Sequence, residues 1–297
     1  MTGRSATLSP VPIAVIALDF DPILRLGDVA VRLQVVALAA AVLLALLVGA
    51  RRAYKSGLRV DDLLFVTVGI VPGAVIGGRA GFVLGHLDYY ADHPAAIVDP
   101  GQGALTLGLA VAGGVLTGAV VVRLLGTSVR LWLQVATVPT LVVLGLGKLA
   151  MVLGGSGQGL PTDAAWATSY AGAGPWGSLA PEIPSHPAQL YEAVAMLVAA
   201  AFVGVVAAGG AFRAGDGRAF FVAVAAWAVG RVAVGSVWRD APVAGPFRAE
   251  QLIALGLAAA SLIAIVIIAR MRRAPGAARS DRAARLEWPD PATRPRF

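Results

Sequence analysis

The sequence contains no cysteine. Disulfide bonds, thiolate metal sites and a cysteine nucleophile are therefore excluded, and any thiol chemistry must use a thiol that a substrate supplies. Histidine is almost as scarce, since only His86, His93 and His186 occur in 297 residues. A metal centre built from several histidines is for that reason not expected.

Charged residues are scarce as well. They make up 14% of the chain, whereas hydrophobic residues make up 58%, and the mean hydropathy is +0.77. Soluble domains are typically about 25% charged, so this composition predicts a polytopic membrane protein. The formal net charge is +7, but the basic residues cluster in particular loops and in the C-terminal tail. Such clustering is typical of membrane topology rather than of nucleic-acid binding, and nucleic acid is not an expected partner.

Seven long apolar stretches are present, and we expect each to cross a membrane as a helix. Each reaches the ~20 residues that span a hydrocarbon core, and they lack the strict alternation of a membrane β-barrel. The predicted spans are residues 30–50, 61–84, 104–125, 130–153, 188–208, 219–238 and 249–270. The predicted fold is all-α, with an external N-terminal segment at 1–28, a seven-helix membrane domain at 29–272 and a basic tail at 273–297.

The loops between the spans differ in charge. Lys and Arg occur in the first, third and fifth connections and in the tail, whereas residues 85–103 and 154–186 contain neither. The positive-inside rule therefore predicts that the N-terminus is outside and the C-terminus is cytoplasmic. Residues 85–103 and 154–186 become outer loops in this topology.

The stretch Ser185–Ala193 lies where the fifth predicted span begins. It puts His186, Gln189 and Tyr191 at the membrane entry and Glu192 beyond it. An ionisable residue at membrane depth costs about 2.5–3.5 kcal/mol on insertion scales, so it usually faces a polar interior and marks a functional site. The alternative is a polar helix start with one buried or snorkelling acid.

Four cationic residues lie in the outward halves or at the outer ends of other spans: Arg79, Lys148, Arg231 and Arg239. Arg231 is too deep for snorkelling to explain comfortably, whereas each of the others is equally well explained as a residue at a helix end. If all four converge on Glu192, the pocket carries a surplus of positive charge. Such a pocket suits an anionic ligand such as a phosphate head group, which Arg binds in a bidentate manner.

The string at 185–193 resembles the His-Pro-Ser/Thr-Gln-Leu-Tyr-Glu element of bacterial prolipoprotein diacylglyceryl transferases. Other elements that resemble the family in order and spacing are Gly78–Leu84, Gly159–Ala167, Gly230-Arg231, Trp238–Asp240 and Glu250-Gln251. The resemblance implies a seven-helix enzyme of the bacterial inner membrane that moves diacylglycerol from phosphatidylglycerol to the cysteine thiol of a lipoprotein signal peptide. It implies no cofactor and no metal.

The resemblance also suggests roles for individual residues. Arg231 would bind the phosphate or stabilise its departure, and Lys148 stands where the family has an essential Arg. The predicted catalytic residues are Arg231, Glu192 and His186, and the predicted phosphatidylglycerol-binding residues are Lys148, Arg79, Gln189, Tyr191 and Arg239.

The sequence departs from the family pattern at positions tied to its chemistry. Gly108 stands at the place of a family histidine, and the stretch after Lys148 lacks two Asn and a Glu. A thiol with a pKa of about 8.5 needs a base, for which Glu192 and His86 are candidates. An active divergent transferase is the main hypothesis. The alternatives are a non-catalytic paralogue that binds phospholipid or lipoprotein precursor, and a small-solute transporter, which gives no reason for the string at 185–193.

Overall fold

The computed structural model describes residues 15–99, 101, 103–172, 174–212 and 215–273. The first fourteen residues of the predicted external segment and the tail after residue 273 lie outside the described residues. The described residues form eight α-helices: α1 (Leu33–Lys55), α2 (Val60–Gly85), α3 (Leu87–Asp92), α4 (Leu107–Leu124), α5 (Val129–Val152), α6 (Ala188–Ala208), α7 (Arg218–Val234) and α8 (Ala249–Arg273). All except the short α3 are long and apolar enough to cross a membrane, α7 together with the 3-10 turn Gly235–Val237 that continues it.

The seven predicted membrane helices are confirmed. The largest difference in bounds is at the end of α1, which continues past the apolar run to Lys55. Two features stabilise this extension. Basic residues in the last turn, Arg52 and Lys55, interact favourably with the negative end of the helix dipole. The Arg52 guanidinium also donates a hydrogen bond of 3.3 Å to the carbonyl oxygen of Val135 on α5.

The long helices pack in pairs, chiefly α2 with α4, α1 with α5, α7 with α8 and α6 with both α5 and α7. A larger apolar core joins α5, α6 and α7, and a smaller one joins α1, α2, α4 and α5. Helices α2 and α4 approach each other closely, because a Cβ added at Gly73 would collide with the carbonyl oxygen of Gly113, and the reverse also holds. Small residues are used in this way where helices approach closely in lipid.

Three small sheets cover one end of the bundle, where α2, α5 and α7 end and α4, α6 and α8 begin. We call this the loop end. Strand β1 (Ile16–Asp19) pairs in parallel with β4 (Thr168–Ala171), β2 (Ile23–Leu26) pairs with β3 (Val29–Arg32), and β5 (Pro242–Ala244) pairs with β6 (Phe247–Arg248). The β1–β4 pairing fixes the described part of the N-terminal segment beside the predicted outer loop 154–186.

Candidate active site

Glu192 is the centre of a buried group of charges at the loop end. It lies in the second turn of α6, which begins directly after Pro187, and its side chain is 6% exposed. One carboxylate oxygen accepts a hydrogen bond from Lys148 Nζ at 2.8 Å, and the other accepts from Arg231 Nη1 at 2.6 Å. Both oxygens are therefore bound to cations, and three helices, α5, α6 and α7, are joined at one point.

The Arg231 guanidinium contacts two aromatic rings in addition to its hydrogen bond with Glu192. Arg231 lies in the last turn of α7 and its side chain is 5% exposed. The guanidinium carbon is 5.5 Å from the ring centre of Trp227 and 4.6 Å from that of Trp238. Cation–π contacts of this kind stabilise a desolvated guanidinium. The orientation of the planar donor group is fixed by the two rings.

Glu250 is a second acid in this group, and the sequence-based prediction did not include it among the site residues. Its Oε2 accepts a hydrogen bond from Arg231 Nη2 at 2.5 Å and from the backbone N–H of Gly108 at 3.3 Å. The same signal that selected Glu192, an ionisable residue at the start of an apolar span, is present at position 250. At the sequence level, Glu250 is recognised only as part of an element that resembles the family.

The first turn of α8, which carries Glu250, is firmly attached to α7. Gln251 Oε1 accepts from the backbone N–H of Arg248 at 2.9 Å, as in a capping box, and Gln251 Nε2 donates to the carbonyl of Val232 at 2.9 Å. Gly235 leaves room for this amide, because a Cβ there would collide with Gln251. The backbone position of Glu250 is therefore set by the helix start.

Lys148, Glu192, Arg231 and Glu250 form what we call the ionic cluster. Two cations and two carboxylates give it a formal charge of zero. The surplus of positive charge that four cations converging on Glu192 would create is not present in this cluster, because Glu250 pairs with Arg231. Arg231 Nε and Glu250 Oε1 are buried without a hydrogen-bond partner among the described residues, and a buried polar atom without a partner is costly. The cluster thus retains one unused donor and one unused acceptor.

Gly108, at the place where the resemblance puts a histidine, touches the ionic cluster. A Cβ added there would lie 2.6 Å from Ile253 Cγ2 and 3.3–3.4 Å from the two Glu250 oxygens. The space beside the start of α4 is filled by α8, so no larger side chain fits at position 108 without rearrangement.

His186 and Tyr191 belong to a neighbouring chain of hydrogen bonds. Trp166 Nε1 donates to the Tyr191 hydroxyl at 2.7 Å, and that hydroxyl lies 3.1 Å from His186 Nδ1. Since the tyrosine oxygen accepts from the indole, its own proton is free to be donated to the imidazole. Among the described residues, His186 is hydrogen-bonded to Tyr191 and to the backbone of Gly159, Leu160 and Ala188, and not to the ionic cluster.

Gln189 is buried in the first turn of α6, beneath the loop that contains Tyr170. Its Nε2 donates to the Tyr170 hydroxyl at 3.1 Å, and its Oε1 has no partner in the described part of the chain. Tyr170 packs against Trp176, with ring centres 4.9 Å apart. Burial raises the pKa of the Tyr170 hydroxyl above its ordinary value of 10.0, while the hydrogen bond from Gln189 partly opposes that shift. The hydroxyl is therefore neutral at physiological pH.

The two remaining predicted residues lie apart from the ionic cluster. Arg239 ties the covering loop together, donating to the Gly159 carbonyl at 2.7 Å and to the hydroxyls of Ser178 and Ser185 at 3.0 and 2.9 Å. Arg79 donates to backbone carbonyl oxygens of residues 96, 97 and 99 and lies over the Tyr90 ring. These contacts tie both arginines to the loops, and among the described ion pairs of Glu192 only Lys148 and Arg231 take part, not all four predicted cations.

An apolar groove of about 500 Å³ lies between α1 and α5 and reaches α6. Its lining includes Leu149 and Leu190, the sequence neighbours of Lys148 and Gln189. Lys148 itself does not line the groove, but the lining residues Leu146 and Leu149 flank it along α5. Within the described residues, no group of three or more His, Cys, Asp or Glu side chains could hold a metal ion.

Comparison with known proteins gives a consistent result. A family model described as prolipoprotein diacylglyceryl transferase matches residues 22–267. Three relatives carry the name phosphatidylglycerol–prolipoprotein diacylglyceryl transferase. The one from Geobacter sulfurreducens is 28% identical over 76% of this chain and 86% of the relative. The one from Nitrobacter hamburgensis is 33% identical over 59% and 61%, respectively, and the one from Acaryochloris marina is 27% identical over 78% and 85%.

Proposed function

The chain belongs to the prolipoprotein diacylglyceryl transferase family, and we propose that it transfers diacylglycerol from phosphatidylglycerol to the cysteine thiol of a lipoprotein precursor. The observation that carries the proposal is the ionic cluster, in which Arg231 and Lys148 are held on one shared carboxylate, Glu192, at 2.6 and 2.8 Å. Two cations fixed close together in a buried site suit a phosphate group.

In the proposed reaction, negative charge develops on the phosphate, so that is where cationic groups are needed. The thiol gives up its proton to solvent, its sulfur forms a bond to the terminal glycerol carbon of the diacylglycerol unit, and the bond from that carbon to the phosphate oxygen breaks, so that the electron pair of that bond leaves with the glycerol phosphate. The diester phosphate carries one negative charge and leaves as the more highly charged glycerol phosphate. Arg231 and Lys148 stabilise that additional charge as it develops, which is how an electrostatic site accelerates a reaction.

The other predicted residues receive roles that follow from their contacts. Because both oxygens of Glu192 are bound to cations, we assign it the positioning of Lys148 and Arg231 rather than proton abstraction. His186 and Tyr191 hold the start of α6 against the covering loop through their hydrogen bonds with each other and with Trp166. Arg239 holds that loop, and Arg79 holds the 96–99 segment.

The apolar groove between α1 and α5 supports a lipid substrate. Acyl chains placed there would remain in a hydrocarbon-like environment while the head group reaches Lys148, so that the lipid need not leave the bilayer. In this proposal the protein lies in the bacterial inner membrane, with its loop end outside and its C-terminus in the cytoplasm. The signal peptide of a membrane-anchored precursor then reaches the loop end on the outer side of the membrane.

Complementation tests the proposed function. A strain depleted of its own transferase is expected to grow when it expresses this protein and to stop growing with Arg231→Ala at an equal membrane level. Growth with neither protein, despite equal expression, would instead support a paralogue that binds lipid or precursor without transfer. Glu182→Gln, on the exposed face of the covering loop, is the matched control and is expected to support growth.

A further inference from the structure

The carboxylate of Glu250 lies where two independent donors point. Arg231 Nη2 donates to it at 2.5 Å, and the backbone N–H of Gly108 donates at 3.3 Å. Gly108 is in the first turn of α4, an 18-residue helix. N–H groups in a first turn lack a partner within the helix and favour anions, a preference that the helix dipole reinforces.

Two buried polar atoms at this position have no partner among the residues that the structure describes. They are Nε of Arg231, whose side chain is 5% exposed, and Oε1 of Glu250. The Glu250 carboxylate therefore leaves one hydrogen-bond donor of its surroundings, Arg231 Nε, unused. A phosphate group has more acceptor oxygens than a carboxylate and matches the planar donor group of Arg in a bidentate manner.

Glu250 is also the less firmly held acid of the ionic cluster. Glu192 is paired with two cations through both oxygens, whereas Glu250 uses one oxygen and pairs with Arg231 alone. Its side chain is 15% exposed against 6% for Glu192. An anion that approaches from the loop end would thus displace Glu250 more readily than Glu192.

We propose that the Glu250 carboxylate occupies an anion subsite, formed by Arg231 and the first turn of α4, which a phosphate group enters by displacing it. Glu250 then sets the affinity and selectivity of the site. It keeps Arg231 paired in the empty protein, and it lowers the affinity for any phosphate that has too few other contacts to replace it. The ligand is a phosphate group, either in a lipid head group or as a free ion, and this step deepens the proposed function and rests on it.

The test is a binding measurement on the purified full chain in maltoside micelles, which contain no phosphate group. One arm titrates inorganic phosphate and the other raises the fraction of phosphatidylglycerol, with tryptophan fluorescence as the readout because Trp227 and Trp238 flank Arg231. Glu250→Gln removes the competing charge and keeps the shape of the side chain. We expect its Kd to fall by roughly tenfold or more, since like charges at contact distance in a protein repel by several kcal/mol.

Three controls make the result specific. Glu182→Gln removes the same charge from the exposed covering loop and is expected to leave the Kd unchanged. The double variant Arg231→Ala, Glu250→Gln keeps the Lys148–Glu192 pair. It is expected to lose the increase in affinity that Glu250→Gln alone produces. Should Glu250→Gln fail to fold, Glu250→Asp retracts the carboxylate by one methylene and is expected to show a smaller gain.

An unchanged or higher Kd in the folded Glu250 variant overturns the subsite, as does a gain that survives loss of Arg231. A gain in the phosphatidylglycerol arm alone identifies the ligand as a lipid head group, and a gain in both arms identifies any accessible phosphate. The outcome is separable from the proposed function. If Glu250→Gln binds phosphate more tightly but the wild type does not transfer diacylglycerol, the subsite is supported and the proposed function is refuted. If the wild type transfers diacylglycerol but Glu250→Gln binds no more tightly, only the subsite is refuted.

Discussion

Replacing Glu192 by Gln should destabilise the folded protein strongly. The substitution changes the formal charge of the ionic cluster from zero to +1 and leaves Lys148 and Arg231 with Glu250 as their only counter-anion. Removing one partner of a buried ion pair typically costs about 3–5 kcal/mol, because the remaining charge is left uncompensated. We expect a loss of this size in the free energy of unfolding, measured by reversible denaturation in micelles.

A double-mutant cycle separates this charge effect from a simple loss of packing. Lys148→Met in the Glu192→Gln background removes the excess cation and leaves the neutral Arg231–Glu250 pair, so most of the stability should return. The expected coupling energy is about 2 kcal/mol, within the range found for contacting residues. A coupling below about 0.5 kcal/mol, or a Glu192→Gln variant as stable as the wild type, would refute the proposed electrostatic balance.

Three further outcomes are expected. Arg231→Lys keeps the charge but not the two-pronged donor, so the rate of transfer should fall at least tenfold in a lipid-transfer assay, and wild-type activity would contradict the role of bidentate geometry. Gly108→Ala pushes a methyl group against Ile253 and should cost about 1–3 kcal/mol of unfolding free energy, measured by denaturation. Burial raises the pKa of Tyr170, so its contribution to stability is complete below the unfolded-state pKa near 10 and is lost as the pH rises through the folded-state pKa. Tyr170→Phe should flatten that alkaline loss, yet cost about 1–3 kcal/mol at neutral pH by leaving the Gln189 amide without its acceptor.

The membrane helices could be predicted because their signal is local. A span such as α6, Ala188–Ala208, is a continuous apolar run whose length alone identifies it, and its predicted and observed bounds agree. The family could be predicted for a similar reason, since the string at 185–193 is contiguous in sequence. The positive-inside orientation uses equally local charges, and it stays a prediction.

The composition of the site could be predicted only in part. The position of a charge along a span gives its depth, but its direction around the helix axis depends on helix rotation. In lipid both faces of a helix are apolar, so the sequence does not encode that rotation as an amphipathic helix would. Arg79 and Arg231 illustrate the consequence: at the sequence level both were candidate phosphate ligands, yet one contacts loop carbonyls and the other contacts Glu192 and Glu250.

Contacts between distant segments were the least predictable. The pairing of β1 with β4 joins Ile16 to Thr168, and neither four-residue strand has a pattern that selects the other. The contact of Gly108 with Glu250 likewise joins two helix starts that are 142 residues apart. Each such contact depends on the assembled bundle rather than on the local sequence.

Direct measurement of the transferred group tests the account most closely. The purified protein, in vesicles that contain phosphatidylglycerol, is mixed with a precursor peptide that carries one cysteine, and the peptide is analysed by mass spectrometry. The account predicts a mass increase of one diacylglyceryl group on the sulfur, release of glycerol phosphate, and neither product with Arg231→Ala. An unmodified peptide with the folded wild-type protein, or equal modification with Arg231→Ala, would contradict it.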